Sequence, residues 1–252
     1  MPDPLLALPF GVAVGLSLGL VGAGGSLLTV PVLVYVLGES AQAATTASLV
    51  IVGLTAAAGA LGHVRRGTVQ LRLAAVFGGT AALGTIGGTA LNRLVAEDVL
   101  LAAFGVLMLV AALALVRERS GVPVAAPAAP LVKAATAGLA VGVLTGFFGV
   151  GGGFVIVPVL ALVLRLPFAQ AVGTSLAVIA IASAAALAGH LTAAEDVDWA
   201  VAGAFAAAAI AGVLLGGRFS RRLPPTALAR GFAVLVAGVG TFLVVRSALA
   251  LS

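Results

Sequence analysis

Residues 15–33 read GLSLGLVGAGGSLLTVPVL, and residues 142–160 read GVLTGFFGVGGGFVIVPVL. Residue n of the first stretch stands opposite residue n + 127 of the second without a gap. Gly15, Gly19, Gly22, Gly24, Gly25, Val30, Pro31, Val32 and Leu33 all meet identical residues there. The same offset carries Ser48-Leu49 onto Ser175-Leu176 and Gly62-His63 onto Gly189-His190. The chain is a duplicated half. Each glycine-proline block interrupts a long apolar run, so each half carries a break in an otherwise helical span at an equivalent place.

The surroundings of the two blocks are those of a membrane protein. Of 252 residues, 62% are hydrophobic and only 8% charged, with a mean hydropathy of +1.27; a soluble domain carries roughly 25% charged residues. Apolar stretches of about 20 residues match a hydrocarbon core ~30 Å thick, and nearly the whole chain falls into such stretches. The formal net charge of +5 is no nucleic-acid footprint, because the arginines sit at the ends of apolar spans, where membrane topology accounts for them. Zero cysteines remove disulfides and thiolate metal sites, and no cofactor is expected. Met1-Pro2-Asp3-Pro4 lacks the positive region of a cleaved signal peptide, so the first apolar run is expected to stay in the mature protein.

Charges and turn residues divide each half into four apolar stretches, A to D. In the first half they are about 5–37, 41–62, 71–91 and 99–116; in the second, about 131–164, 169–189, 199–217 and 227–249. Between the halves, RERSGVPVAAPAAP at 117–130 reads as a loop, since its prolines and small residues cannot continue a helix. The expected organisation is one transmembrane domain over 1–252: repeat 1 at about 1–117, a linker at 118–130, and repeat 2 at about 131–252. Small-residue runs such as Ala56-Ala57-Ala58-Gly59 and Ala206 to Ala209 permit the close helix approach that drives packing in lipid.

Stretch A is too long to cross once. As one helix its roughly 33 residues would extend about 50 Å at ~1.5 Å per residue, so it must tilt steeply, break or turn back. Charge placement chooses. A single crossing splits the lysines and arginines seven against six, which orients nothing. If A returns to the side it entered from, eleven fall on one side and only Arg93 and Arg246 on the other, a positive-inside pattern. Seven of the eight acidic residues then share the arginine-poor side. The expected fold is an all-α polytopic bundle of 8–10 membrane segments. It is built from two inverted repeats, each with a broken or re-entrant first helix. It would lie in the bacterial inner (plasma) membrane as a multi-pass protein, with both termini outside the cytoplasm.

The glycine turns carry the strongest chemical signal. Glycine frees peptide groups from the helix ladder, and inside a membrane such groups need partners in protein, water or ligand. The segment after each break starts a helix with unpaired amide donors and a partial positive end, which suits an anion. The structural alternative is that these glycines only allow close packing or a tight hairpin turn. Broken helices at corresponding places in two halves nevertheless point to a transporter site. No GxxxxGK[ST] is present, so a nucleotide site is not expected.

The paired blocks GLVGAGGSLLTVPVL and GFFGVGGGFVIVPVL, each followed by an Ala…Ser-Leu segment (Ala44…Ser48-Leu49 and AVGTSL from Ala171), resemble the TauE/SafE family of sulfite-exporter-like membrane proteins. The similarity covers nearly the whole chain. It implies transport of a small anion, of the class of sulfite or an organosulfonate, and it leaves the individual substrate open.

The candidate substrate-binding residues are Gly22, Gly24, Gly25, Ser26 and Ser48 in the first half, and Gly149, Gly151, Gly152, Gly153, Thr174 and Ser175 in the second. Thr29, Thr45, Thr46 and Ser183 are further intramembrane hydroxyls, although ordinary helix–helix hydrogen bonds account for any single one as well. No lysine or arginine lies centrally in a span, so dipoles and hydroxyls would hold the anion. His63 and His190 end stretch B in each half and read as solvated helix ends, with gating or proton exchange as the alternative. Gln42 and Gln170 read as helix-start residues, and the cluster Arg218, Arg221, Arg222 as a cytoplasmic anchor to anionic lipid.

The expected partners are a small anion and the bilayer; nucleic acid is excluded, and a homo-oligomer is left open. The leading function is a secondary carrier, an exporter in direction. No Asp or Glu lies mid-span, so the usual carboxylate proton relay is missing. An anion channel would use the same helix ends. An intramembrane enzyme or a structural subunit is the third reading, but Ser26 has no neighbouring histidine in sequence and no metal cluster is evident, so no enzyme activity is expected.

Overall fold

The computed structural model describes residues 4–22, 25–92, 97–117, 130–148, 153–190, 197–220 and 222–250. Among them there are helices and turns and no strand. The first half comprises α1 (Pro4–Val21), α2 (Gly25–Pro31), α3 (Ala41–Val64), α4 (Leu71–Asn92) and α5 (Glu97–Arg117). The second comprises α6 (Leu131–Phe148), α7 (Gly153–Pro158), α8 (Phe168–His190), α9 (Trp199–Phe219) and α10 (Pro225–Ala250). Stretch A is thus two helices in each half, α1 with α2 and α6 with α7, separated at the glycine block. The linker at 118–129 lies outside the described residues.

Five of these helices, α3, α4, α6, α8 and α9, are long and apolar enough to cross a membrane. Their outward faces carry exposed Leu83, Ile86, Leu139, Ile181 and Leu214, which water would penalise and lipid accepts. The protein is a multi-pass membrane protein.

Proline shapes the end of each stretch A. Pro31 and Pro158 lack the amide that would continue the ladder, and each is followed by a π-helical turn, Val32–Val36 and Val159–Val163. The turns close through equivalent bonds: Leu37 N to Val32 O and Leu164 N to Val159 O, both 3.1 Å. Wider ones run from Glu39 N to Leu33 O and from Leu166 N to Leu160 O, both 3.0 Å. The chain then leaves through a left-handed residue, Gly38 (φ 70°) in the first half and Arg165 (φ 54°) in the second.

The helices pair between the halves. α1 lies along α9 in parallel: Gly11 meets Phe205 and Ala208, Gly15 meets Ala209, and Gly19 meets Val213. α6 lies along α4, also in parallel, with Gly138 at Phe77, Gly142 at Ala81 and Gly146 at Thr85. A methyl group at Gly15 or Gly142 would enter the backbone of Ala209 or Ala81, so these helices touch main chain to main chain, as small residues allow in lipid. In stretch C the repeat offset is 128, and Phe77, Ala81, Gly84 and Gly88 meet Phe205, Ala209, Gly212 and Gly216. The two parallel interfaces are therefore built from the same residues.

Equivalent helices pair antiparallel. In α3 and α8, Gly53 faces Ser183, Gly59 faces Leu176 and His63 faces Gly173. In α5 and α10, Gly105 faces Val244 while Met108 faces Gly240. One core gathers Leu18, Ala56, Phe77, Met108, Leu160, Leu176 and Phe232 from both halves. A second, around Leu33, Ile51 and Phe205, closes α1, α2, α3 and α9.

Candidate functional site

Gly22, just past the end of α1, has φ 76°, a conformation that side chains other than glycine adopt only at a cost. Its amide still donates to Leu18 O at 2.7 Å. A Cβ there would stand 2.7 Å from Ser175 Oγ and 3.0 Å from Val172 Cα, so both the turn and the close approach require glycine. Three residues on, Gly25 opens α2 against Val14 O and the Leu18 side chain. A continuous helix would hold residues 14 and 25 about 16 Å apart; their contact shows that the chain folds back on itself after Gly22.

The break of the first half is held by the second. Ser175 Oγ, fully buried, donates to Gly22 O at 2.9 Å and shares its hydrogen with Val172 O at 2.8 Å. Thr174, also fully buried, accepts from the Gln70 amide at 3.2 Å. Beside it, Gln70 Nε2 donates to Gln170 Oε1 at 3.0 Å. Gln170 is thus more than a helix-start residue: it clasps the α3–α4 turn to α8. This pairing joins residues 100 apart in sequence, and no local pattern announces it.

The structure brings Gly22, Gly25, Thr174 and Ser175 into one neighbourhood, and Ser48 into another. Ser48 is buried and donates within its own helix, to Thr45 O at 2.7 Å. Leu176, next to Ser175, faces Gly59, and the 11 residues of α3 from Ser48 to Gly59 span about 16 Å. The two equivalent serines therefore stand toward opposite ends of the α3–α8 pair. Gly153 opens α7 and is buried, and α7 touches α2. Phe147 and Phe148 lead into the second break, with Phe148 packed on Phe104 of α5 at 5.3 Å between ring centres. Gly24, Gly149, Gly151 and Gly152 lie outside the described residues, as do the side chains of Ser26 and His190 and all of Arg221.

His63 departs from expectation. Rather than a solvated helix end, it is 7% exposed, because Gly173 of α8 packs directly on its ring. Its Nδ1 lies 2.9 Å from Thr68 Oγ1, and Thr68 Oγ1 donates to the His63 carbonyl at 3.1 Å. Among the described residues no group of three or more His, Asp or Glu side chains is placed to hold a metal ion.

Residues 7–243 match the family profile described as Sulfite exporter TauE/SafE. The chain belongs to the TauE/SafE family. It is 34% identical over 245 residues to a "Probable membrane transporter protein" of Xylella fastidiosa (strain Temecula1), covering 94% of this chain and 93% of that one. It is also 29% identical over 220 residues to the "Probable membrane transporter protein YdhB" of Bacillus subtilis (strain 168), covering 85% and 89%. A relative from Methanocaldococcus jannaschii, "Probable membrane transporter protein MJ0441", is 25% identical over 199 residues, 75% and 74% of the two chains. No solved structure matches the chain. Membership and the helical bundle together identify a membrane transporter protein of the TauE/SafE family.

Proposed function

We propose that this TauE/SafE protein is a secondary exporter of a small anion, of the class of sulfite or an organosulfonate, bound beside the glycine breaks. The observation that carries the reading is the hold of Ser175 on Gly22: the broken helix of one half is completed by the other. A substrate that competes for those groups would loosen one half from the other. In this reading the anion ligands are Gly22, Gly24, Gly25, Ser26, Thr174 and Ser175 for one station and, by repeat equivalence, Gly149, Gly151, Gly152, Gly153 and Ser48 for the other.

Helix directions favour inverted halves. Antiparallel pairing of equivalent helices, with parallel pairing of stretch A of one half with stretch C of the other, is the pattern of a two-fold axis lying across the helices. It agrees with the charge count, which puts the α3–α4 turn, the linker and Arg218 in the cytoplasm and both termini outside. Ser48 and Ser175 then serve as an outer and an inner station instead of sharing one site. An inside-negative membrane drives anion export by ~2.3 kcal/mol per charge per 100 mV, so uncoupled efflux suffices.

Purified protein in vesicles tests the reading. Saturable sulfite or methanesulfonate efflux is expected, lost in Gly22→Val and Gly25→Leu proteins that still insert. Absence of flux in the wild type, or wild-type flux in both variants, overturns it; unsaturable flux at channel rates replaces the carrier with a channel.

A further inference from the structure

Two helix pairs are packed as solid blocks. In α1–α9, Gly15 and Gly19 rest on Ala209 and Val213, and Gly212 and Gly216 return the contact on Val12 and Leu16. In α4–α6, Gly138 and Gly142 rest on Phe77 and Ala81, and Gly84 and Gly88 return it on Leu139 and Val143. Main chain packed on main chain leaves no side chain to repack, so neither pair slides without separating. Each block takes one helix from each half, and the halves therefore cannot part as wholes. Between the blocks stand α3, which touches α9, and α8, which touches α4.

A line of hydrogen bonds ties the blocks together at one end. Arg66, in the α3–α4 turn, donates from Nη1 to Gly217 O in the last turn of α9 at 3.2 Å, where the negative end of the helix favours a cation. Gln70, just before α4, donates from its amide to Thr174 Oγ1 at 3.2 Å and from Nε2 to Gln170 Oε1 at 3.0 Å, both on α8. Ser175 of α8 closes the line on Gly22, past the end of α1, at 2.9 Å. By repeat equivalence the same line cannot form at the other end. Gln70 corresponds to Asp198, whose carboxylate is engaged in the α9 cap. Gln170 and Thr174 correspond to Ala43 and Ala47, which have no polar side chain. The duplicated fold has a one-ended fastening.

We propose that this line is a latch on the end that the charge count puts in the cytoplasm. When Arg66 and Gln70 let go, the blocks α1–α9 and α4–α6 swing apart there and open an aqueous route to Thr174 and Ser175. Both are fully buried while latched, and water must replace the broken bonds because buried polar groups left unpaired are costly. The latch sets an equilibrium between a closed and an open state, and losing two bonds of ordinary net strength shifts it roughly tenfold or more toward open. The proposal rests on the transport reading and deepens it, naming the bodies that move and the end that is fastened.

Spin-label distances from pulsed electron paramagnetic resonance test it, and the lack of native cysteine confines the labels to introduced ones. One pair, Arg72→Cys on α4 with Arg218→Cys on α9, both exposed positions, spans the blocks at the latched end. The other, Val132→Cys on α6 with Leu91→Cys on α4, both exposed positions, lies within one block. With the latch intact, each pair should give one dominant distance. Arg66→Met combined with Gln170→Leu should raise a longer population between positions 72 and 218 roughly tenfold and leave the distance between 132 and 91 as it was. Arg66→Lys combined with Gln170→Glu keeps a donor and an acceptor and should restore the short distance. Unchanged distances between 72 and 218 in the first double variant, equal broadening of both pairs, or failure of the conservative double variant to restore the short distance overturns the latch. Sulfite efflux from wild-type vesicles, measured in parallel, separates the two readings: its absence sinks transport, while the distances still decide the latch.

Discussion

The Ser175 hydroxyl, in the second half, donates to the Gly22 carbonyl oxygen, in the first, across 2.9 Å. That carbonyl lies just past the last residue of α1, where the helical ladder ends. Replacing Ser175 by Ala leaves it buried without this partner, at a cost of about 1 kcal/mol. The expected result is a lower unfolding midpoint and a several-fold higher KM for anion efflux. Thr55→Val is the control, since Thr55 is equally buried but donates only to Ile51 O of its own helix. It should leave KM unchanged. Equal effects of the two substitutions would show that Ser175 is merely structural.

The glycine interfaces predict a paired outcome. Gly15 and Gly142 each rest on a backbone carbonyl of the other half, at Ala209 and Ala81. Any side chain must push its helix away, and overpacking of this kind costs roughly 1–3 kcal/mol. Gly15→Leu and Gly142→Leu should both lose the monodisperse peak in detergent size-exclusion chromatography. Gly79→Leu and Gly203→Leu, where nothing lies within 4 Å of an added Cβ, should keep it.

What the sequence disclosed follows from the range of the interactions involved. Duplication, the eight apolar stretches and the fold-back at Gly22 were legible because apolar run length, glycine and proline act locally. Charge counting leads to a turn-back within stretch A, and in the first half Gly25 packs on Val14 as in a chain that folds back on itself. The π turns after Pro31 and Pro158 were not legible: proline announces a disturbed ladder but not which longer bond replaces the lost one. His63 was misread because nothing near it in sequence buries it; Gly173, 110 residues later in the chain, does. The separation of Ser48 from Ser175 was hidden for the same reason, since repeat equivalence places residues at matching positions and antiparallel packing then sends them to opposite ends.

Left-handed strain sits at one of two equivalent corners. Gly38 takes φ 70° without cost, whereas Arg165, its counterpart, takes φ 54° with a full side chain. For a residue with a Cβ this conformation costs roughly 1 kcal/mol. Arg165 is exposed, so its side chain contributes little packing that a substitution would forfeit. Arg165→Gly should therefore raise the unfolding midpoint, offset in part by greater freedom of the unfolded chain, while Gly38→Arg should lower it, costing about 1 kcal/mol of stability. The difference between the two, measured by denaturant titration in detergent, checks the assignment.

Glu39 and Asp198 meet at the rim opposite the basic face, one just before the start of α3 and the other capping α9. Asp198 accepts from the amides of Ala200 at 3.0 Å and Val201 at 3.2 Å, so its charge is held in place by the helix start. Partial burial, and secondarily the Asp198 carboxylate, raise the Glu39 carboxyl above its ordinary range. A raised acid binds more protons folded than unfolded. Its contribution to stability is therefore complete below the ordinary carboxylate range and is lost as pH rises through the folded-state value. As pH rises out of the ordinary carboxylate range and through the raised folded-state value, Glu39 should pull the unfolding midpoint of the wild type downward. Glu39→Gln has no proton to lose, so its midpoint should fall less across that window and exceed the wild type at pH 7. Asp198→Asn should also shrink the slope while costing part of the α9 cap, lowering the midpoint throughout. Parallel curves for wild type and Glu39→Gln would show that the carboxyl titrates alike in both states.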